Sequence, residues 1–265
     1  MHAHWIPTSK LDDAQHRWLE GFLANQPWYR FYYSCAMDDL RGDLDNRAFV
    51  IGRHGQGLLM LMAFQGIDVV SIVGEVETDE LAAVAASHKP GEVHCDPGQM
   101  DAIVAALGTR AEASDGFLYM ERRGGSAGDG EGATRLGLAD VPRVLRFYRE
   151  HYPETTLSPW MLQDWPFAGV VEDGELVACA GTVVMDAERT AAHLGHFATH
   201  PGHRGRGLAQ RCGRELIAAH AERGVEHLML GVAEANRAAV RVYQHLGFGV
   251  VLHRHLVRVG PGTPI

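Results

Sequence analysis

Two domains of mixed α/β structure, the second a mixed sheet with helices on its faces, are predicted by three features of this 265-residue sequence. Its composition, 46% hydrophobic and 22% charged, belongs to a chain that buries a sizeable core, which disfavours disorder, collagen and coiled coil. The run Gly124-Gly-Ser-Ala-Gly-Asp-Gly-Glu-Gly132 cannot bury apolar surface. It reads as a flexible linker, 124–132, between domains at 1–123 and 133–265. On both sides of it, period-2 and period-3.6 hydrophobic patterns alternate, as they do where helices cover a sheet.

In the first domain, Leu11, Ala14, Trp18, Leu19 and Phe22 make a helical stripe over Leu11–Asn25, with Pro27 as its stop. Three strand-like runs follow, Arg47–Arg53, Leu58–Gln65 and Ile67–Val73, the last two divided by Gly66 alone, as in a tight hairpin. A helix is expected over Thr78–Ser87, with Thr78 as N-cap and Asp79 and Glu80 in its first turn. A second covers Gln99–Leu107, and a strand covers Gly116–Glu121. His94-Cys95-Asp96 has metal-ligand chemistry, but it reads as a strand end beside a turn.

The second domain opens with a strand at Ala133–Gly137 and a helix to about Glu150, with Asp140 as its cap and Pro142 in its first turn. Phe167–Glu172 and Glu175–Val184 are strands joined by Asp173-Gly174, a two-residue hairpin signal. Ala191–Thr199 is the next strand, broken by Pro201. A helix over Gly207–Arg223 buries Leu208, Cys212, Leu216 and Ala219 and ends at Gly224. Then come strand His227–Gly231, helix Arg237–Leu246 ended by Gly247, and strand Val250–Val257.

Charge and cysteine usage exclude several functions. Residues 1–125 carry 10 Lys/Arg against 18 Asp/Glu, and residues 126–265 carry 14 against 15. An acidic half argues against nucleic acid as a partner, since phosphate contacts need a cationic face. The longest apolar stretch, Leu58–Phe64, falls far short of the ~20 residues that span a bilayer, and residues 1–10 lack the pattern of a secretory signal. The four scattered cysteines form no C-x-x-C pair, which favours free thiols and a cytoplasmic protein.

The chemistry concentrates in His200-Pro-Gly-His-Arg204-Gly205-Arg206-Gly207-Leu208-Ala209, which follows a strand and opens a helix. Glycines there let backbone N–H groups approach a ligand, the helix N-terminus favours an anion, and Arg204 and Arg206 add positive charge. A diphosphate fits. Walker A chemistry is excluded because no Gly-Lys-Ser/Thr follows, and Gln210 occupies the third small-residue position of a dinucleotide fingerprint, which weakens a hydride-transfer reading. Farther on, Asn236 is placed as an N-cap, and Ala239, Val240, Tyr243 and Leu246 share one helical face. Four histidines, His193, His196, His200 and His203, stand close together, with His253 and His255 on a later strand; they lack H-E-x-x-H spacing, and no metal site is expected.

Together, Arg204-x-x-Gly207-x-Ala209 and Asn236-x-x-Ala239-x-x-x-Tyr243-x-x-x-Gly247-Phe248 resemble the two signature motifs of the GNAT superfamily of N-acetyltransferases. The resemblance covers roughly residues 133–258. It implies a mixed, splayed β-sheet flanked by helices, with acetyl-CoA (coenzyme A) as cofactor and transfer of its acetyl group to a primary amine in a ternary complex. Residues Arg204, Gly205, Arg206, Gly207, Leu208 and Ala209 would take the diphosphate. The backbone of Phe197, Ala198 and Thr199 would pair with the pantetheine arm, and Asn236 would bond it or a bridging water. Family position nominates His193 as general base, directly or through a water, and Tyr243 as the acid or hydrogen-bond donor for the leaving thiolate. In a regular strand His193, Phe197 and Thr199 share a face and His196 points away; a bulge near Gly195 would reverse one of these assignments. Trp160 and Trp165 are candidate walls for the acceptor, a small-molecule or protein amine, although packing between the two domains is the favoured reading of these aromatics. The first domain is expected to be a second mixed α/β unit, with a degenerate second copy of the same fold as one reading. A homodimer is left open. The alternatives are a nicotinamide-dinucleotide-dependent oxidoreductase and a non-catalytic module that binds acyl-CoA.

Overall fold

The structure is a computed structural model that describes residues 5–41, 47–52, 55–64, 67–77, 80–81, 91–125, 128, 130–153, 155 and 157–260. Along the chain stand β1 (Ile6–Pro7), α1 (Asp13–Leu23), α2 (Pro27–Arg41), β2 (Arg47–Ile51), β3 (Gly57–Phe64), β4 (Ile67–Gly74), β5 (Gly91–Cys95), α3 (Met100–Leu107) and β6 (Ala111–Arg123). There follow β7 (Thr134–Leu136), α4 (Val141–His151), α5 (Met161–Asp164), β8 (Phe167–Glu172), β9 (Glu175–Met185) and β10 (Ala191–Thr199). The last elements are α6 (Leu208–Ala221), β11 (His227–Ala233), α7 (Arg237–His245) and β12 (Gly249–Val259). The expected mixed α/β class is the observed one.

Two compact units divide the chain. One comprises Met1–Leu118, Ala233–Ala235 and Leu252–Ile265; the other comprises Tyr119–Val232 and Asn236–Val251. In the N-terminal unit the strands run β1-β2-β3-β4-β5-β12. All neighbours there are antiparallel except β4 and β5, which are parallel. Its core gathers Val50, Leu59, Val70, Ile72, Val93 and Ile103 with Val257 and Val259 from the chain's end.

Helix α1 is set by a capping box in which the Asp12 side chain accepts from Gln15 N and the Gln15 side chain accepts from Asp12 N. Pro27 starts α2 rather than ending local structure, because a proline at N1 loses no helical hydrogen bond. The periodicity of α2 is hidden because Trp28, Tyr29, Phe31, Tyr32, Tyr33, Cys35 and Ala36 are all buried, leaving no single apolar stripe. The helix expected over Thr78–Ser87 lies outside the described residues except for Glu80 and Leu81, which are helical. The turn at Gly66 also lies outside, although β3 and β4 stay in register to Phe64↔Ile67.

In the C-terminal unit the order is β6-β11-β10-β9-β8-β7. The β8–β9 hairpin turns through Asp173 (φ 51°) and Gly174 (φ 83°), the two positive dihedrals that its sequence implies. Asp140 does not cap α4 with its side chain; it closes a preceding turn by accepting from Gly137 N at 2.8 Å. The glycine-rich linker is in part packed against α6, where a Cβ on Gly130 or Gly132 would collide with Glu215 or Arg211. Ser126, Ala127 and Asp129 of that linker lie outside the described residues.

Candidate active site

The site forms where β10 and β11 part. Their parallel pairing covers Ala191↔His227, Ala192↔Leu228 and His193↔Met229 and then stops, while β10 continues to Thr199. On its other edge β10 stays on β9 through two register shifts, an extra β9 residue between His193↔Val184 and Leu194↔Thr182 and an extra β10 residue between Gly195↔Gly181 and Ala198↔Cys179. Within this second bulge His196 adopts φ 55°, a left-handed conformation that costs a non-glycine residue about 1–2 kcal/mol, while burial goes on alternating, with His196 buried and His193 and Phe197 half-buried.

Surrounding contacts hold that strained residue. Tyr148 of α4 donates its hydroxyl to the His196 carbonyl. The His196 ring lies 2.9 Å through Nδ1 from Thr155 Oγ1 and stacks on Phe167. Burial pushes its pKa down to about 4, so the ring is neutral. His193 stands at the last paired residue before the gap, half-buried. The two histidines have different surroundings: His196 braces the bulge, and His193 borders the opening.

Beyond the strand, Pro201–His203 form a single turn, and Gly205 (φ 77°) and Gly207 (φ 73°) take left-handed conformations that lead into α6. Its N-cap, Gly207, has no side chain to cap the first-turn amides, which have no intrahelical partner. A Cβ on either glycine would meet nothing within 4 Å, so the dihedral, not crowding, requires glycine. Arg204 donates weakly to Thr199 O at 3.4 Å.

Arg206 departs from expectation. Its guanidinium forks onto Glu172 at 2.8 and 2.9 Å and lies 2.8 Å from His203 Nδ1. Its charge is therefore already paired, and its backbone remains for an anion. The Arg206 and His203 contacts hold the Glu172 carboxyl below its usual range. Nothing in the sequence announced Glu172, which stands 34 residues from Arg206 at the far end of a hairpin. Next to this turn a cavity of about 490 Å³ is lined by Arg143, Arg146, His151, Glu172, His200 and His203, among others.

Helix α7 supplies the other wall. Asn236 caps it, its side-chain oxygen accepting from Ala239 N at 3.1 Å. Two turns beyond that cap, Tyr243 meets Phe197 of β10 edge to face, ring centres 5.1 Å apart. Burial raises the Tyr243 pKa, so the phenol stays protonated at neutral pH. The Tyr243 carbonyl accepts from Phe248 N at 3.0 Å, and Gly247 (φ 85°) makes the turn into β12. Trp160, 47% exposed, lies edge-on to Trp165, their ring centres 4.7 Å apart. These tryptophans flank α5, a helical turn that the sequence pattern did not reveal.

All four cysteines are buried and none is in a disulfide. Burial pushes the Cys95 thiol up to about 11 and Cys179 to about 12, so neither is a thiolate nucleophile at neutral pH. Among the described residues no group of three or more His, Cys, Asp or Glu is arranged to hold a metal ion, and no helix is long and apolar enough to cross a membrane.

An acetyltransferase family, GNAT, matches residues 139–248. Among solved structures, a protein of Novosphingobium aromaticivorans assigned to the GNAT family is similar at 26% identity and a TM-score of 0.56, over 77% of this chain and 89% of that one. A Drosophila protein shares the fold over 98% of this chain and 100% of its own, with a TM-score of 0.69 and 14% identity. A tandem GNAT protein from the clavulanic acid biosynthesis pathway is similar over 82% of this chain and 85% of its own, with a TM-score of 0.50 and 15% identity. No curated protein matches the chain. The parted strands, the glycine-rich helix entry and the Asn236–Tyr243 helix thus lie within a GNAT acetyltransferase domain at residues 139–248.

Proposed function

We propose that the C-terminal unit is an N-acetyltransferase that moves an acetyl group from acetyl-CoA to a primary amine by direct attack in a ternary complex. One observation carries this reading: the gap between β10 and β11 opens onto an uncapped helix N-terminus entered through two left-handed glycines. The residues fit the cofactor. The amides from Gly205 to Ala209 would bind its diphosphate, with Arg204 beside them. The unpaired β10 edge at Phe197, Ala198 and Thr199 would hold the pantetheine arm by backbone hydrogen bonds, and Asn236 would add a side-chain contact from α7. When bound, acetyl-CoA supplies an acyl group already activated as a thioester.

The protein's task is then proton management. An alkylamine with a pKa of ~10.4 arrives protonated at neutral pH, and an ammonium is no nucleophile. His193, at the root of the gap, would take that proton directly or through a water. Tyr243, kept protonated by burial, would donate a hydrogen bond or its proton to the departing sulfur. The raised phenol pKa makes full transfer to a thiolate uphill, so hydrogen bonding is the larger part of its role. The high cysteine pKa values favour direct attack over an acyl-cysteine intermediate. A cytoplasmic location and a small-molecule or protein amine as acceptor complete the proposal.

The test is release of free thiol from acetyl-CoA across a panel of amines, for the wild type and for His193→Gln. Activity on at least one amine, with the rate rising through a histidine-like pKa that disappears in the variant, supports the assignment. A variant with an unchanged pH–rate profile and maximum rate would remove His193 from the mechanism. Tight coenzyme binding without turnover on any amine would favour a non-catalytic acyl-CoA module instead.

A further inference from the structure

The N-terminal unit follows the same plan as the C-terminal one. In chain order, β1 is followed by two helices, three strands, a helical turn at Glu80–Leu81, β5, α3 and a strand. From β7 onward the chain repeats this order: α4, α5, three strands, α6, β11, α7 and a strand. Both sheets make the same succession of antiparallel steps followed by one parallel step, β4 beside β5 and β10 beside β11. In both, the parallel ladder ends before its first strand does. It stops at Ser71↔His94, with β4 continuing to Gly74, as it stops at His193↔Met229 in the other unit.

What lies at the end of that ladder differs. Arg254 of β12, 3% exposed, donates from one terminal nitrogen both to Ile72 O on β4 and to His94 O on β5, the latter at 3.0 Å. Its other terminal nitrogen pairs with Asp96 at 2.5 Å, and its guanidinium carbon lies 5.8 Å from the Tyr29 ring centre. The two strands are thus bridged by a side chain where the C-terminal unit has an open edge. The connection after β4 differs too. It reads Glu75-Val76-Glu77 in place of glycine and arginine, and the Glu80 carboxylate, in a side chain only 4% exposed, accepts from Glu77 N at 3.1 Å. A carboxylate already occupies the amide at the start of that helical turn.

We infer that the N-terminal unit is a closed second copy of the acyltransferase plan. Arg254 fills the place of a pantetheine arm, and Glu80 fills the place of a diphosphate. The chain therefore takes one acetyl-CoA, in the C-terminal unit. This rests on the proposed function, and it adds that the second cleft is sealed by the protein's own charges. Both devices oppose reopening: removing Arg254 leaves Asp96 and two carbonyls short of a donor, and the acidic connection repels a diphosphate.

Calorimetric titration of the full chain with acetyl-CoA tests the inference, together with hydrogen exchange. One equivalent is expected, with slowed exchange on β10, residues 204–210 and α7 and none gained on β4 or β5. Arg254→Met should still bind one equivalent while exchange on β5 and the end of β4 rises about tenfold or more. Should that variant fail to fold, Glu80→Gln keeps a capping oxygen and is expected to bind one equivalent as well. Two equivalents in the wild type or either variant, or ligand protection on β4 and β5, would overturn the inference while leaving the acetyltransferase reading intact. Unchanged exchange in Arg254→Met would overturn the role given to Arg254. Absence of any binding would instead defeat the proposed function, and the inference with it.

Discussion

At Tyr243 core packing meets the proposed chemistry. Its ring is 7% exposed and abuts Phe197 and Phe248, while burial holds its hydroxyl in the protonated state. Tyr243→Phe keeps the ring contacts and removes only the donor. It should lower kcat about 10²-fold with little change in acetyl-CoA affinity, measured by steady-state kinetics beside direct binding. A tyrosine that only packs would leave kcat unchanged. The buried histidines make a second residue-scale prediction. Burial lowers both His196 and His220 to about 4, below the value near 6.5 of an unfolded chain. Between those values the unfolded state binds more protons, so stability rises with pH. It is fully present above about pH 6.5 and is lost as pH falls toward 4, at up to about 1.4 kcal/mol per pH unit for each histidine. Urea unfolding across that range should show this slope, and His220→Gln should reduce it. These two residues have different protein partners: Thr182 for His220 and Thr155 for His196. Neither pairing has a signal in sequence, because residues 38 and 41 apart meet only through the packing of helices on a sheet.

At the scale of elements, the helix entries carry the candidate site and were the most readable part of the chain. The positions of Gly205, Gly207, Asn236 and Gly247 follow from local backbone requirements, and each has the conformation or cap that its residue type suits. Asn236 offers a separation of roles. Asn236→Ala removes the cap of α7 and should cost about 1 kcal/mol. Asn236→Ser keeps a capping oxygen and should retain most of that stability while raising the KM for acetyl-CoA. Thermal unfolding and kinetics on the pair distinguish capping from ligand contact; equal KM values in wild type and serine variant would remove Asn236 from the binding site. Other elements were obscured for identifiable reasons. Helix α2 is apolar on too many sides to show an amphipathic period, and α5 is a single turn. The β10 bulge is held by contacts from α4 and from Thr155, which the pattern along the strand does not show.

For the whole molecule, the decisive feature is where the last strand goes. The segment Leu252–Ile265 follows the acetyltransferase domain in sequence, yet it belongs to the N-terminal unit. There β12 pairs with β5 from His255↔Cys95 to Val259↔Gly91, placing Val257 and Val259 in that unit's core. A chain ending at Val251 should therefore lose structure in residues 5–118, read as rapid proteolysis and hydrogen exchange there, although the cut removes nothing from that stretch. Retained protection would mean that the β5 edge needs no partner. By itself the sequence determined the α/β class, the strand and helix order of the C-terminal half apart from the single turn α5, and the two motifs of its candidate site. Each of these rests on interactions within a few residues, namely hydrophobic period, cap chemistry and the dihedral freedom of glycine. Tertiary structure alone decided that Arg206 is tied to Glu172, that Arg254 bridges β4 and β5, and that the final strand joins the N-terminal core. Strand pairing and ion pairs between distant elements join residues tens to hundreds of positions apart, and the pattern along one segment holds no record of its partner.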